Sequence, residues 1–127
     1  MDKIKLKICG VKDISTIDCC IQNKVDLFGI IFYKKSPRYL DLQSAINLIN
    51  YSKNKKILSV AVFVNEPIDR LKYILNKLQP NFIQLHGNEN NYYIKKIKAD
   101  FNIKIIKAIS VKKSSDIDTY KSYNDSD

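Results

Sequence analysis

An α/β protein built on a parallel sheet is predicted by three features of this sequence. Short β-type apolar runs alternate with longer helix-type segments, at a period of roughly 20 to 25 residues. Several of the runs are nearly continuous in Val, Ile, Leu and Phe, as strands covered on both faces must be. No linker, low-complexity stretch or charge block separates the units.

The elements follow in order. "IKLKIC" at 4–9 is the first strand, and a helical segment covers 13–24. "LFGIIF" at 27–32 is the second strand, followed by a helix at 41–53 for which Asp41 can act as N-cap. "ILSVAVFV" at 57–64 leads into a helix at 67–78, with Asn65 as a candidate cap and Pro67 suited to an early helical position. In that helix Ile68, Leu71, Leu75 and Leu78 recur at helical spacing and define one buried face. "FIQL" at 82–85 precedes a helix at 89–99, and "IKIIKAI" at 103–109 precedes a helix at 114–123 with Ser114 or Ser115 at its start.

At 127 residues the chain can bury one real core, and its 45% hydrophobic and 28% charged residues are those of a folded globular domain. No apolar run approaches the roughly 18 residues of a membrane span, and the amino terminus lacks the apolar core and cleavage site of a signal peptide, so the expected location is cytoplasmic and no membrane partner is expected. Cys9, Cys19 and Cys20 form neither an even disulfide set nor a metal spacing and read as free thiols, with Cys19 and Cys20, inside the first helical segment, expected to pack. A formal charge of +9 raises the question of nucleic acid. Only two arginines are present, the lysines are scattered, and no basic run is interleaved with stacking aromatics, so the charge reads as solvated surface and no nucleic-acid partner is expected.

Two architectures accommodate five βα units. A doubly wound sheet of the flavodoxin type is complete at this length, whereas an eight-stranded βα barrel typically takes about 250 residues. Periodicity does not separate them. In both, ligands sit beyond the carboxyl ends of the strands, so the residues that follow each run carry the functional information. Strand one ends in Cys9-Gly10, strand two runs into "YKKSPRY", strand three ends in Val64-Asn65, and strand four ends in Gln84-Leu85-His86-Gly87. Read from residue type alone, each has two meanings. Cys9 is a small buried hydrophobe or a reactive thiol; Arg38 is a solvated loop residue or a carboxylate fork; His86 is a surface or capping residue or a site residue. Gln84 and Asn65 either hydrogen-bond a ligand or stitch loops together.

The chain resembles the phosphoribosylanthranilate isomerase family of tryptophan biosynthesis. Four motifs carry the likeness in order: Lys7-Ile8-Cys9-Gly10, "GIIFYKKSPRY" at 29–39, "SVAVFVN" at 59–65 and "QLHGNE" at 84–89, with "IKA" at 106–108 fitting the fifth strand. Two departures stand outside the expected chemistry. Lys34 replaces a family proline, and Ala61 replaces the usual glycine of the third strand.

The resemblance implies a (βα)8 TIM barrel, of which residues 1–127 form one partial domain with strands one to five and their helices, strands six to eight being absent. It implies an Amadori rearrangement of N-(5-phosphoribosyl)anthranilate by general acid-base catalysis, with no metal or organic cofactor. Cys9 matches the family's base; a free thiol titrates near about 8.5, so modest tuning suffices. Arg38 matches the position that holds the anthranilate carboxylate, and His86 the position that lines the anthranilate side, with Gln84 and Asn65 as weaker substrate contacts. The family's acid lies at the end of strand six and its phosphate site follows strands seven and eight. The expectation is therefore a fragment, poorly soluble and inactive by itself, of an enzyme that acts as a monomer or a homodimer when full length. The alternative is a non-enzymatic truncated remnant folded as a flavodoxin-like open sheet; retention of the whole strand-end set weighs against it.

Overall fold

The computed structural model describes residues 3–127. Five strands, β1 (Lys7–Cys9), β2 (Leu27–Ile31), β3 (Leu58–Phe63), β4 (Phe82–Leu85) and β5 (Lys104–Lys107), alternate with α1 (Ile14–Gln22), α2 (Leu42–Ser52), α3 (Ile68–Leu78) and α4 (Asn91–Asp100). All pairings are parallel, and the spatial order is β1-β2-β3-β4-β5. A 3-10 helix, Ser114–Ser122, follows β5.

Strand order and helix placement decide between the two architectures. Phe28, Ile30, Ala61, Phe63, Ile83, Leu85 and Ile105 point to one face, where they pack with Ile17, Ala45, Leu48, Leu71, Leu75, Ile94 and Ile97 from all four α-helices. The other face holds Leu27, Ile31, Val60 and Val62 with Cys9, Tyr33, Phe82 and Ile106, and no helix residue joins that cluster. A doubly wound sheet has a strand order that reverses and helices on both faces. The flavodoxin-like alternative is therefore excluded and the partial barrel stands: each crossover here steps to the adjacent strand in the same sense, so the helices collect on one side and the sheet curls as a barrel wall does.

Local chemistry sets the starts of three helices, and at Asp41 it does so as expected. Asp41 caps α2 through Ser44 N–H, Asp13 caps α1 through Thr16 N–H, and Asn90 caps α4 through Tyr93 N–H. In α3 the buried positions are Leu71, Ile74, Leu75 and Leu78, with Ile68 at the margin.

Four expectations require correction. Asn65 is not a helix cap: Pro67 occupies that position without a side-chain cap bond, and Asn65 takes a left-handed φ of 50° in the loop before it. The last helix is 3-10 and begins at Ser114, so neither Ser114 nor Ser115 caps it; Asp116 instead accepts the Lys112 and Lys113 N–H groups. Its Ser, Asp and Thr content favours local side-chain bonding over an α-helix, and it buries no residue that would hold one in place. The first strand begins at Lys7, because Ile4 is exposed and Leu6 N–H donates to the Asp26 side chain. Cys20 packs in the core, and burial pushes its thiol above the ordinary value; Cys19 is exposed, since adjacent helix positions point about 100° apart.

Beyond the 3-10 helix the chain returns to the free side of β5. Asp127 N–H donates to Ile105 O at 2.8 Å, and its carboxylate accepts Ile105 N–H at 2.9 Å and the Lys98 ammonium at 2.6 Å. No helix among the described residues is long and apolar enough to cross a membrane.

Candidate active site

The carboxyl ends of the strands form one rim, and β1 contributes its most constrained turn. Gly10 and Val11 both donate N–H to Gly29 O at 2.9 Å, which pulls the chain sharply off β1 onto β2. That bend sets Gly10 at φ +83°, a region other residues rarely adopt. Cys9, half-buried, stands on the face without helices. A Cβ on Gly29 would come within 3.1 Å of Cys9 Sγ and 3.3 Å of Lys7 Cε, so glycine there makes room for both side chains of β1.

Arg38 reaches back from the loop after β2. Ser36 Oγ accepts Arg38 N–H at 3.1 Å, Ser36 O accepts Tyr39 N–H, and Tyr39 rejoins the sheet by a single bridge to Ile31. This tight loop lays the guanidinium across the Cys9-Gly10 turn, where Nη1 donates to Cys9 O at 3.0 Å. Its contact with Gly10 is close enough that a Cβ would lie 2.5 Å from Arg38 Cδ. The side chain is otherwise exposed, and its remaining N–H groups make no hydrogen bond to the described residues. Cys9 and Arg38, 29 positions apart, thus share one corner of the rim.

A second group forms where β3, β4 and β5 end. Gln84 and His86 project from β4 on the face without helices, Gln84 Nε2 lying 3.4 Å from His86 Nδ1. His86 is exposed, and its N–H donates to Phe63 O at 2.9 Å. Asn65 is a stitch between loops: its Oδ1 accepts Asn88 N–H at 2.7 Å, and a Cβ on Gly87 would collide with it at 2.4 Å. No hydrogen bond among the described residues joins this group to Cys9 and Arg38.

Two residues of this corner escape sequence reasoning. Glu89 and Lys107 form a buried ion pair at 3.2 Å, their side chains 1% and 3% exposed. Glu89 also accepts Asn65 N–H at 2.8 Å and Gly87 N–H at 2.9 Å. Lys107 donates to Gly87 O at 2.6 Å and lies 5.3 Å from the Tyr123 ring centroid. A glutamate inside "QLHGNE" and a lysine at a strand end were visible as residues, but only the register Leu85↔Lys107 brings them together. Tyr93 completes the loop: its hydroxyl donates to Glu66 O at 2.6 Å, and burial, with Glu89 and Glu66 nearby, pushes its pKa upward.

No group of three or more His, Cys, Asp or Glu among the described residues could hold a metal ion. A groove of about 740 Å³ lined by Asn81, Asp100 and Asn102 opens at the opposite, amino end of the strands, and none of the rim residues lines it.

Residues 6–127 match the family model of N-(5'-phosphoribosyl)anthranilate (PRA) isomerase. The chain belongs to this family. Its similarity to the N-(5'-phosphoribosyl)anthranilate isomerase of Rhizobium rhizogenes is 36% identity over 118 residues, 93% of this chain and 53% of the relative. With the Clostridium acetobutylicum isomerase it is 33% over 120 residues, 94% of this chain and 56% of the relative. The chain thus spans about half the length of the curated relatives it matches. Among solved structures, the phosphoribosyl anthranilate isomerase of Thermotoga maritima superposes with a TM-score of 0.89 at 28% identity, covering 98% of this chain and 59% of the other. An isomerase solved with reduced 1-(o-carboxyphenylamino)-1-deoxyribulose 5-phosphate gives the same TM-score, with 62% of that chain covered. The five-unit parallel sheet is accordingly part of a TIM-barrel-type wall, as family membership requires.

Proposed function

We propose that this chain carries the base-bearing part of a phosphoribosylanthranilate isomerase, with residues 1–127 acting as one partial barrel domain. The supporting observation is the corner at β1, where Arg38 is laid over the Cys9 carbonyl and its other donors make no hydrogen bond among the described residues. A planar fork beside a thiol suits a substrate that presents an aromatic carboxylate near the carbon to be deprotonated.

In this reading an acid protonates the ribose ring oxygen, the C1–O bond opens, and the nitrogen lone pair forms a protonated imine. Cys9 thiolate then takes the C2 proton. The C–H electron pair forms C1=C2, the imine electrons return to nitrogen, and the resulting enolamine tautomerises to the aminoketose. The reaction is an internal redox change, with C1 reduced and C2 oxidised, so no external oxidant enters the balance. Arg38 holds the anthranilate carboxylate. His86 borders the aromatic side, Gln84 orients it, and Asn65 supports the loop beside it. No residue of this chain is assigned as the acid or the phosphate grip.

One solved relative is in complex with reduced 1-(o-carboxyphenylamino)-1-deoxyribulose 5-phosphate, which supports a phosphorylated anthranilate adduct as substrate here. A dimeric relative has also been solved as monomers, so both assembly states belong to this reading.

The test is loss of phosphoribosylanthranilate fluorescence, followed with the protein as its source produces it. Cys9→Ala is expected to lower turnover at least about 100-fold with an unchanged circular dichroism spectrum. Arg38→Met is expected mainly to raise KM. Retained turnover in Cys9→Ala would return the thiol to a packing role.

A further inference from the structure

The Glu89–Lys107 pair lies behind the rim, on the side of the sheet occupied by helices. Lys107 is the register partner of Leu85, whose side chain belongs to the helix-packed core, so its side chain leaves β5 on that face and turns up toward the exit of β4. There its ammonium meets the carbonyls of Leu85, at 3.5 Å, and Gly87, at 2.6 Å. These two residues flank His86. Glu89 closes the arrangement from the same side, taking N–H groups from Gly87 and Asn65 while balancing the ammonium.

Burying an ion pair is costly, and its attraction often does no more than offset the desolvation. Stability therefore explains this pair poorly. Its geometry does something an apolar pair cannot: one charge receives the N–H groups at the ends of β3 and β4, and the other holds the carbonyls on either side of the imidazole.

We propose that Glu89 and Lys107 are positioning residues that fix the backbone at His86, and so the placement of the imidazole at the rim. This deepens the isomerase reading, on which the ring-recognition role of His86 rests. A set of hydrogen bonds made by fixed, buried charges holds a side chain more narrowly than an exposed loop does.

The experiment uses the chain's single histidine, whose imidazole gives one assignable set of proton-carbon cross-peaks by NMR. Lys107→Met is expected to shift and broaden those peaks well beyond the change caused by Lys95→Met on the exposed face of α4. Lys107→Gln, which keeps an N–H donor for the Gly87 carbonyl, is expected to restore most of the original position. Unmoved imidazole peaks in a folded Lys107→Met chain would overturn the proposal and leave the pair a purely structural feature. Should Lys107→Met fail to fold, Glu89→Gln asks the same question with the ammonium retained, and unmoved peaks there would equally overturn it. The readout requires no turnover. A shift seen in this chain, while the protein as its source produces it shows no isomerase activity, would sustain the positioning role and count against the isomerase reading.

Discussion

Gly10 carries two constraints at once, and either alone would exclude most other residues. Its φ of +83° is a left-handed conformation, and the space above it is filled by the Arg38 side chain. Gly10→Ala should destabilise the fold by about 1–2 kcal/mol in urea titrations. It should also lift Arg38 off the Cys9 carbonyl, which a weakened protection of Arg38 Nη signals in NMR would report. The carboxylates add a pH dependence with a definite sign. Asp127 lies below its ordinary value of 3.8 chiefly because Lys98 donates to it, with Ile105 N–H second. Asp13 and Asp41 are lowered by hydrogen bonds from Thr16 and Ser44. A depressed carboxylate contributes stability above its unfolded value and loses it as pH falls through the lower, folded value. Urea midpoints should thus be flat from pH 7 to about 5 and fall below about pH 4.

At the scale of elements, three helices start on a single capping side chain, and in two of them that cap is an aspartate. Asp41 accepts the Ser44 N–H and hydroxyl, and Asp13 accepts the Thr16 N–H and hydroxyl together with the Ser15 hydroxyl. Alanine at either position should cost about 0.5–2 kcal/mol, read as a lowered urea midpoint at unchanged slope. The double variant should add the two effects, since the caps share no partner. The loops that follow β3 and β4 behave as one unit. Tyr93 to Glu66, Asn88 to Asn65 and Asn65 to Glu89 tie the exits of β3 and β4 across more than twenty positions of chain. Such mutual bonding lets a rim built from short loops stay ordered although much of it is exposed.

At the scale of the molecule, the two faces of the sheet differ in how they are covered. The helix side is filled, whereas the other has a smaller cluster with no helix against it. β1 and β5 are the edges of the described sheet, the β5 edge being met by Asp127 at Ile105 alone and otherwise open, and Ile4, Leu6, Ile8 and Leu58 are exposed around its margin. Unpaired edges beside exposed apolar side chains recruit further strands. The 127-residue chain should therefore self-associate in sedimentation velocity at micromolar concentration. A single monomeric boundary with a cooperative unfolding transition would contradict this.

Sequence alone determined the number and order of the βα units, because apolar runs of strand length and capped amphipathic segments are local signals read within a few residues. It also pointed to the strand ends as the place to look, since Cys9, Arg38, Gln84 and His86 lie at or just beyond the ends of apolar runs, where α/β proteins bind ligands. Tertiary structure decided the rest. Whether helices cover one face or two depends on the sense of each crossover, which leaves no trace in periodicity. The role of Asn65 changed from cap to stitch because its partner, Asn88, lies 23 positions away. Glu89 and Lys107 became a pair only through the β4–β5 register, and an ionised side chain is buried only where the fold supplies its counter-charge and hydrogen bonds.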